Sequence, residues 1–231
     1  MVLSFHGNGK DMNSQATLSR FTDSTINPHM IAVFPNGQPG SDDGELCWEG
    51  APYCSNPASD KVFVTDLLNY MRNNYCVDNT RIYASGKSNG GGFVDVLACS
   101  PDHGSDFAAF AMDAAALYNE ADGSGCTPAR SPMPILELHA LQWRNKPRCT
   151  IAKRNPPVPK VDGLQTNSQG SWDYTQYDCQ GISSMVVGYN VTGQEHWWIS
   201  TQTNADNNGD VAPIDASTLM MTFFNNNYKP S

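Results

Sequence analysis

The feature that most constrains this chain is the pentapeptide Gly86-Lys87-Ser88-Asn89-Gly90, set between a strand-like run and a helix-like run. A G-x-S-x-G sequence in that setting marks a sharp strand-to-helix turn. The serine is forced into strained backbone angles, and glycines on either side let neighbouring backbone approach without Cβ clashes. The turn presents the serine hydroxyl at the carboxyl end of a sheet, and the helix that follows points its N-terminus at developing negative charge. A phosphate loop is the rival reading, because Gly86-Lys87-Ser88 matches the end of G-x-x-x-x-G-K-[ST]. That motif needs glycine at position 81, where this chain has Arg81.

Around the pentapeptide, short apolar runs alternate with segments of helical spacing. Met30 to Pro35 reads as a strand ending at a Pro-Asn-Gly turn, and Val62 to Tyr75 as a helix with Asp60 at its N-cap. Arg81 to Ser85 reads as a strand, Gly91 to Ala98 as a helix, and Phe107 to Ala111, Ile135 to Leu138 and Met185 to Tyr189 as buried strands. Leu219 to Phe224 closes the chain as a helix. Strand–helix alternation predicts a mostly parallel central sheet with helices on both faces, in one domain over residues 1–231. Two stretches, Cys47 to Ser59 and Trp143 to Asp178, read as irregular loops.

Composition removes several function classes. The net charge of −9 argues against nucleic acid or an anionic membrane surface as partner, and no apolar run is long enough to span a bilayer. Charged residues are only 16% of the chain, so its polar surface rests on Asn, Gln, Ser and Thr. Seven cysteines without a C-x-x-C pair fit disulfides in an extracellular protein better than a zinc site, so no metal is expected. The sequon Asn190-Val191-Thr192 agrees with an extracellular glycoprotein. Met1 to Gly7 carries no signal peptide, and with the odd cysteine count this suggests that the chain lacks an N-terminal segment.

A serine nucleophile needs a base later in the chain. Of five histidines, His6 and His29 precede the serine, His103 lies in a polar loop, and His139 closes an apolar strand. His196, in Gly193-Gln194-Glu195-His196-Trp197-Trp198, stands where chain order puts the base, beside aromatic residues that could wall a ligand. Trp48 and Trp197 are candidate substrate contacts. The His6-Gly7-Asn8-Gly9 turn can aim the Asn8 N–H at a substrate oxygen, with the Asn89 N–H as second donor.

With these residues in hand, the sequence resembles the feruloyl esterases of carbohydrate esterase family 1 and the related polyhydroxybutyrate-depolymerase-like esterases. The resemblance rests on Leu3-Ser4-Phe5-His6-Gly7, Cys47 to Cys54, Tyr75-Cys76-Val77-Asp78, Arg81 to Gly92, Pro134 to His139 and the His196 segment. It implies an α/β-hydrolase fold beginning one or two strands late. It also implies a secreted serine carboxylesterase acting on feruloyl esters of plant cell-wall polysaccharide, with no cofactor; a monomer is expected. The alternatives are an acetyl-xylan or polyhydroxyalkanoate esterase, or a catalytically impaired polysaccharide-binding homologue. The last arises because Trp143 stands where the family carries its triad aspartate.

The acid is therefore open. Asp113, just past a predicted strand on the catalytic edge, is the first candidate. Asp162 and Asp173 follow, Glu195 is adjacent to the base, and a site without an acid is the remaining reading. Cys47 is expected to pair with Cys54 and Cys99 with Cys126, with one of Cys76, Cys149 and Cys179 unpaired.

Overall fold

The computed structural model describes residues 1–55, 58–118, 126, 129–130, 133–140, 159–179 and 182–229. Six strands run parallel in the order β2 (Ala32–Val33), β1 (Val2–Phe5), β5 (Tyr83–Lys87), β6 (Ala109–Asp113), β7 (Ile135–Ala140), β10 (Ile182–Val191). Two antiparallel strands, β9 (Gly170–Cys179) and β8 (Pro159–Asn167), extend the sheet beyond β10. A separate two-stranded ribbon joins β3 (Gln38–Pro39) to β4 (Leu46–Cys47). The helices are α1 (Met12–Ser19), α2 (Asp60–Asn74), α3 (Asn89–Cys99) and α4 (Ala216–Asn226).

The two-residue period of a strand sorts its side chains between two cores. Leu3 and Phe5 of β1, Ala84 of β5, and Phe110 and Met112 of β6 face one core, which α2 closes with Val64, Leu68 and Met71, and α3 with Phe93, Val94 and Leu97. Val2, Tyr83, Ala109 and Ala111 face the other, closed by Met220, Met221 and Phe224 of α4. Full burial of one such Phe or Leu contributes roughly 1.5–3 kcal/mol. Helices thus cover both faces of the parallel part of the sheet, as the alternation predicted.

Several elements differ from the sequence reading. The Met30–Pro35 strand shrinks to two paired residues, Ala32 and Val33. The N-cap of α2 is Ser59, whose side chain accepts from the Val62 N–H, and Asp60 lies inside the first turn. Helix α1 went unread because Met12 to Ser19 has no apolar stripe. It is held instead by the Asp11 N-cap and by Gln15 Nε2 donating to Ser4 Oγ at 2.9 Å. The segment read as a loop from Trp143 to Asp178 contains β8 and most of β9; its residues 143–158, Trp143 and Cys149 among them, lie outside the described residues. The period-two signal was present in β9, where Trp172 and Tyr174 turn to one core and polar residues intervene.

Both expected disulfides are formed. Cys47–Cys54 has a Cα separation of 6.0 Å and Cys99–Cys126 one of 4.5 Å. Among the described residues, exposed Cys76 has no disulfide partner. The sequon asparagine, Asn190, sits in β10 between β7 and β9, half-buried, with its Nδ2 donating to Asp173 Oδ2 at 3.0 Å. That bond occupies the nitrogen a glycan would need. Among the described residues no helix is long and apolar enough to cross a membrane.

Candidate active site

Parallel strands put their carboxyl ends on one edge, so residues far apart in sequence meet there. The turn after β1 brings His6 to Gly9, the turn after β5 brings Ser88, β6 ends at Asp113, β7 carries His139 near its end, and the segment after β10 carries His196.

Ser88 has φ 53° and ψ −119°, a conformation that L-residues adopt rarely. Two glycines permit it. A Cβ on Gly86 would lie 2.5 Å from the Gly90 backbone, and one on Gly90 would lie 2.3 Å from the Phe5 carbonyl oxygen. The Ser88 N–H donates to the Asp113 carbonyl at 3.2 Å, while the Gly92 and Ala116 N–H groups donate to the Ser88 carbonyl. The side chain takes no part in capping α3. It meets His196 instead: Nε2 and the Ser88 Oγ are 2.7 Å apart across 108 residues of sequence. Burial, then Lys87 and His139, lower the His196 pKa, with Asp206 opposing. The imidazole is thereby held neutral near pH 7, the state in which it can accept the hydroxyl proton.

Asn89 has a double use. Its side-chain Oδ1 accepts from the Trp48 N–H at 2.8 Å and its Nδ2 donates to the Trp48 carbonyl and the Tyr118 hydroxyl. Its own backbone N–H, at the start of α3, makes no hydrogen bond among the described residues, and neither does that of Asn8. His6 fixes the turn that presents Asn8. The Gly37 N–H donates to Nε2 at 3.0 Å, so the proton is on Nδ1, 2.8 Å from the Gly7 carbonyl. Burial lowers its pKa and keeps it neutral.

Other expected residues lie elsewhere. Trp48 is fully buried, stacked on Phe93 at 5.3 Å, and its Nε1 donates to the His6 carbonyl. It packs behind the His6–Gly9 turn, so it cannot touch a ligand. Trp197 is only 9% exposed and its Nε1 donates to Gln194 Oε1. His103, read as part of a polar loop, is buried, with Nδ1 3.1 Å from Ser100 Oγ and Nε2 near Thr65 Oγ1 and the Lys61 carbonyl.

Asp113 does not meet the base. It is fully buried, and its Oδ2 accepts from the Ile199 N–H at 2.7 Å, three residues beyond His196. Burial raises its pKa well above the usual carboxylate range. Asp173 is engaged with Asn190, and the Asp162 side chain lies outside the described residues. Among the described residues no carboxylate is hydrogen-bonded to His196.

Two residues that the sequence reading passed over complete the edge. Lys87 is buried, and its Nζ lies 3.1 and 2.9 Å from the two Asp206 oxygens. Asp206 Oδ2 also accepts from the Trp198 N–H at 2.6 Å. Two carboxylates thus hold consecutive N–H groups just past His196, one of them tied to the residue before Ser88. A lysine inside the pentapeptide was a usable signal, since a buried ammonium requires a partner.

The sheet order, the strained serine turn at its carboxyl edge and the histidine after the last parallel strand define the α/β-hydrolase fold. The acetyl xylan esterase from Aspergillus awamori has the same fold, with a TM-score of 0.66 over 97% of this chain and 88% of that one, at 15% identity. In sequence the chain is feruloyl- and acetylxylan-esterase-like. It is 34% identical over 125 residues to feruloyl esterase B of Piromyces equi, a match covering 54% of this chain and 22% of that protein. It is 24% identical over 139 residues to the bifunctional acetylxylan esterase/xylanase XynS20E of Neocallimastix patriciarum, covering 60% and 18%. The chain spans about a fifth of the length of these curated relatives. No family model matches it.

Proposed function

We propose that this chain is a serine carboxylester hydrolase acting on acyl esters of plant cell-wall polysaccharide, feruloyl esters first among them. The observation that carries the reading is the 2.7 Å contact between Ser88 Oγ and His196 Nε2, on a strained turn whose hydroxyl has no structural use. His196 Nε2 takes the Ser88 proton as Oγ attacks the ester carbonyl. The N–H groups of Asn8 and Asn89 hold the oxyanion of the tetrahedral intermediate. Collapse breaks the carbonyl–alkoxy bond, and His196 returns the proton to the departing alcohol. Water, activated by His196, then cleaves the acyl–Ser88 ester and releases the acid.

In this scheme Asp113 is a positioning residue that holds the Ile199 N–H, not a group on the imidazole. The names of the two curated relatives support a carbohydrate ester as substrate, and acetyl esters are the second candidate. The disulfides support an extracellular location. A catalytically impaired, polysaccharide-binding protein is the competing reading, favoured by the absence of a His196–carboxylate bond among the described residues.

A fluorophosphonate probe separates the two. Stoichiometric labelling of Ser88, abolished in Ser88→Ala, is expected of the hydrolase, and an unlabelled folded protein would remove it. Turnover of methyl ferulate against an acetylated xylo-oligosaccharide then decides the acyl group.

A further inference from the structure

Asn89 supplies one of the two N–H groups that the proposed reaction aims at the oxyanion, and its side chain is held in a single pose. The residue is fully buried. Its Oδ1 accepts from the Trp48 N–H at 2.8 Å, and its Nδ2 donates to the Trp48 carbonyl at 3.3 Å and to the Tyr118 hydroxyl at 3.2 Å. A backbone N–H can only donate and a backbone carbonyl can only accept, so Trp48 dictates which end of the amide is which. Both amide hydrogens are then committed, one to Trp48 and one to Tyr118.

Tyr118 reaches this amide from the segment that follows β6. Two residues earlier, the Ala116 N–H donates to the Ser88 carbonyl at 3.0 Å, so the segment is tied to the backbone of the serine itself. The Tyr118 ring lies against α3 where residue 92 is glycine: a Cβ there would strike the Ala116 carbonyl oxygen and the edge of the ring. The phenol oxygen also lies 2.6 Å from the Tyr53 hydroxyl, with the two rings edge to face at 6.0 Å. Trp48 follows Cys47 and Tyr53 precedes Cys54, the two ends of one disulfide. The amide is thus gripped from both ends of a closed loop, directly by Trp48 and through Tyr118 by Tyr53. Burial first, and then the Tyr53 hydroxyl, raise the Tyr118 pKa, with the Asn89 amide opposing. The phenol stays protonated at neutral pH and serves as a hydrogen-bond partner rather than an acid or base.

We propose that Tyr118 is a positioning residue for ester hydrolysis: its hydroxyl, steadied by Tyr53, locks the Asn89 side chain to the Cys47–Cys54 loop and so holds the Asn89 N–H on the oxyanion. The proposal rests on the hydrolase reading. An oxyanion donor acts only within hydrogen-bond distance of the atom where charge develops, and a small displacement is costly. Charge appears on that oxygen in the transition state, so loss of the lock falls on kcat rather than KM.

The test measures parent, Tyr118→Phe, Asn89→Ala and the double variant on 4-nitrophenyl acetate, and their inhibition by phenylboronic acid, whose adduct with Ser88 is tetrahedral and anionic. Tyr118→Phe keeps the ring against Gly92 and removes only the hydroxyl. Its kcat is expected to fall about tenfold at unchanged KM, less than the roughly 10^2 to 10^3 that loss of a whole donor costs. Boronate affinity weakens by a similar factor, and Tyr118→Phe has no further effect once residue 89 is alanine. Tyr53→Phe lowers kcat in the same direction and carries the test should Tyr118→Phe fail to fold. Parental kcat and boronate affinity in the folded Phe variants, a change confined to KM or melting temperature, or a full Tyr118→Phe effect in the Asn89→Ala background would overturn the assignment and leave the hydrolase standing. A parent protein that neither turns over the ester nor is labelled by a fluorophosphonate would refute the hydrolase reading, and the positioning role with it.

Discussion

Lys87 Nζ lies 2.9 Å from Asp206 Oδ2, which joins the residue before Ser88 to the loop that follows His196. The two charges act on the imidazole with opposite sign: Lys87 lowers the His196 pKa and Asp206 raises it. His196 must be neutral to accept a proton, so activity rises with pH through its pKa. Lys87→Met removes the cation, and the acidic limb of the kcat/KM profile should move to higher pH. Asp206→Asn removes the anion, and the limb should move to lower pH. Shifts in the same direction would mean that the pair acts only by holding the loop.

Ser88→Ala tests the nucleophile. Loss of a serine that acts together with a histidine costs on the order of 10^4 to 10^6 in turnover. The melting temperature should stay close to that of the parent, because the Ser88 side chain caps no helix and its backbone bonds remain. Full hydrolysis by a pure, folded variant would disprove the assignment.

Gly90→Ala tests the elbow itself. The new Cβ would lie 2.3 Å from the Phe5 carbonyl oxygen, which is backbone and cannot swing aside. A loss of about 3 kcal/mol or more in urea unfolding is expected, since β1 and α3 must separate to admit the methyl group. A variant of parental stability would show that the two elements are not packed so closely.

How far the sequence revealed this arrangement follows from how local each signal is. The strained serine turn has a five-residue signature, and β1, β5, β6 and β7 are apolar runs, so Ser88 and the sheet around it could be read directly. His196 could be read from chain order, because an α/β sheet fixes where the base must fall relative to the serine. Trp48 could not: a tryptophan beside a cysteine looks the same whether it lines a cleft or, as here, stacks on Phe93 behind the His6–Gly9 turn. Asp206 had no signature, for its partners Lys87 and the Trp198 N–H are assembled only by the fold. Asp113 was placed on the right edge by its strand, yet the Ile199 N–H claims its carboxylate.

The disulfides give a stability prediction from loop length. Cys47–Cys54 closes a separation of 7 residues and Cys99–Cys126 one of 27. Chain-entropy arguments assign about 2.5 kcal/mol to the shorter loop and about 3.6 kcal/mol to the longer. Replacing both cysteines of a pair by serine should therefore lower the urea midpoint in each case, and more for the second pair. The reverse order would show that native contacts, rather than loop closure, set the difference.

Asp60 lies in the first turn of α2, only 3% exposed, and its Oδ2 accepts from the Glu49 N–H at 2.7 Å. Burial raises its pKa to about 6, the Glu49 N–H pulls the other way, and the Glu49 carboxylate adds to the rise. In the unfolded chain the same group titrates near the ordinary value of about 4. The folded state therefore holds this proton more tightly than the unfolded one. Its contribution to stability is fully present below about pH 4 and is lost as pH rises through about 6. Asp60→Asn keeps an oxygen to accept the Glu49 N–H but carries no charge, although it gives up a favourable anion at the α2 N-terminus. The variant should match the parent near pH 4 and exceed it by about 1–2 kcal/mol at pH 7, the gap opening between those values. Urea unfolding of both proteins at unit pH steps measures it. A difference that does not change with pH would mean that Asp60 is ionised in the folded protein throughout.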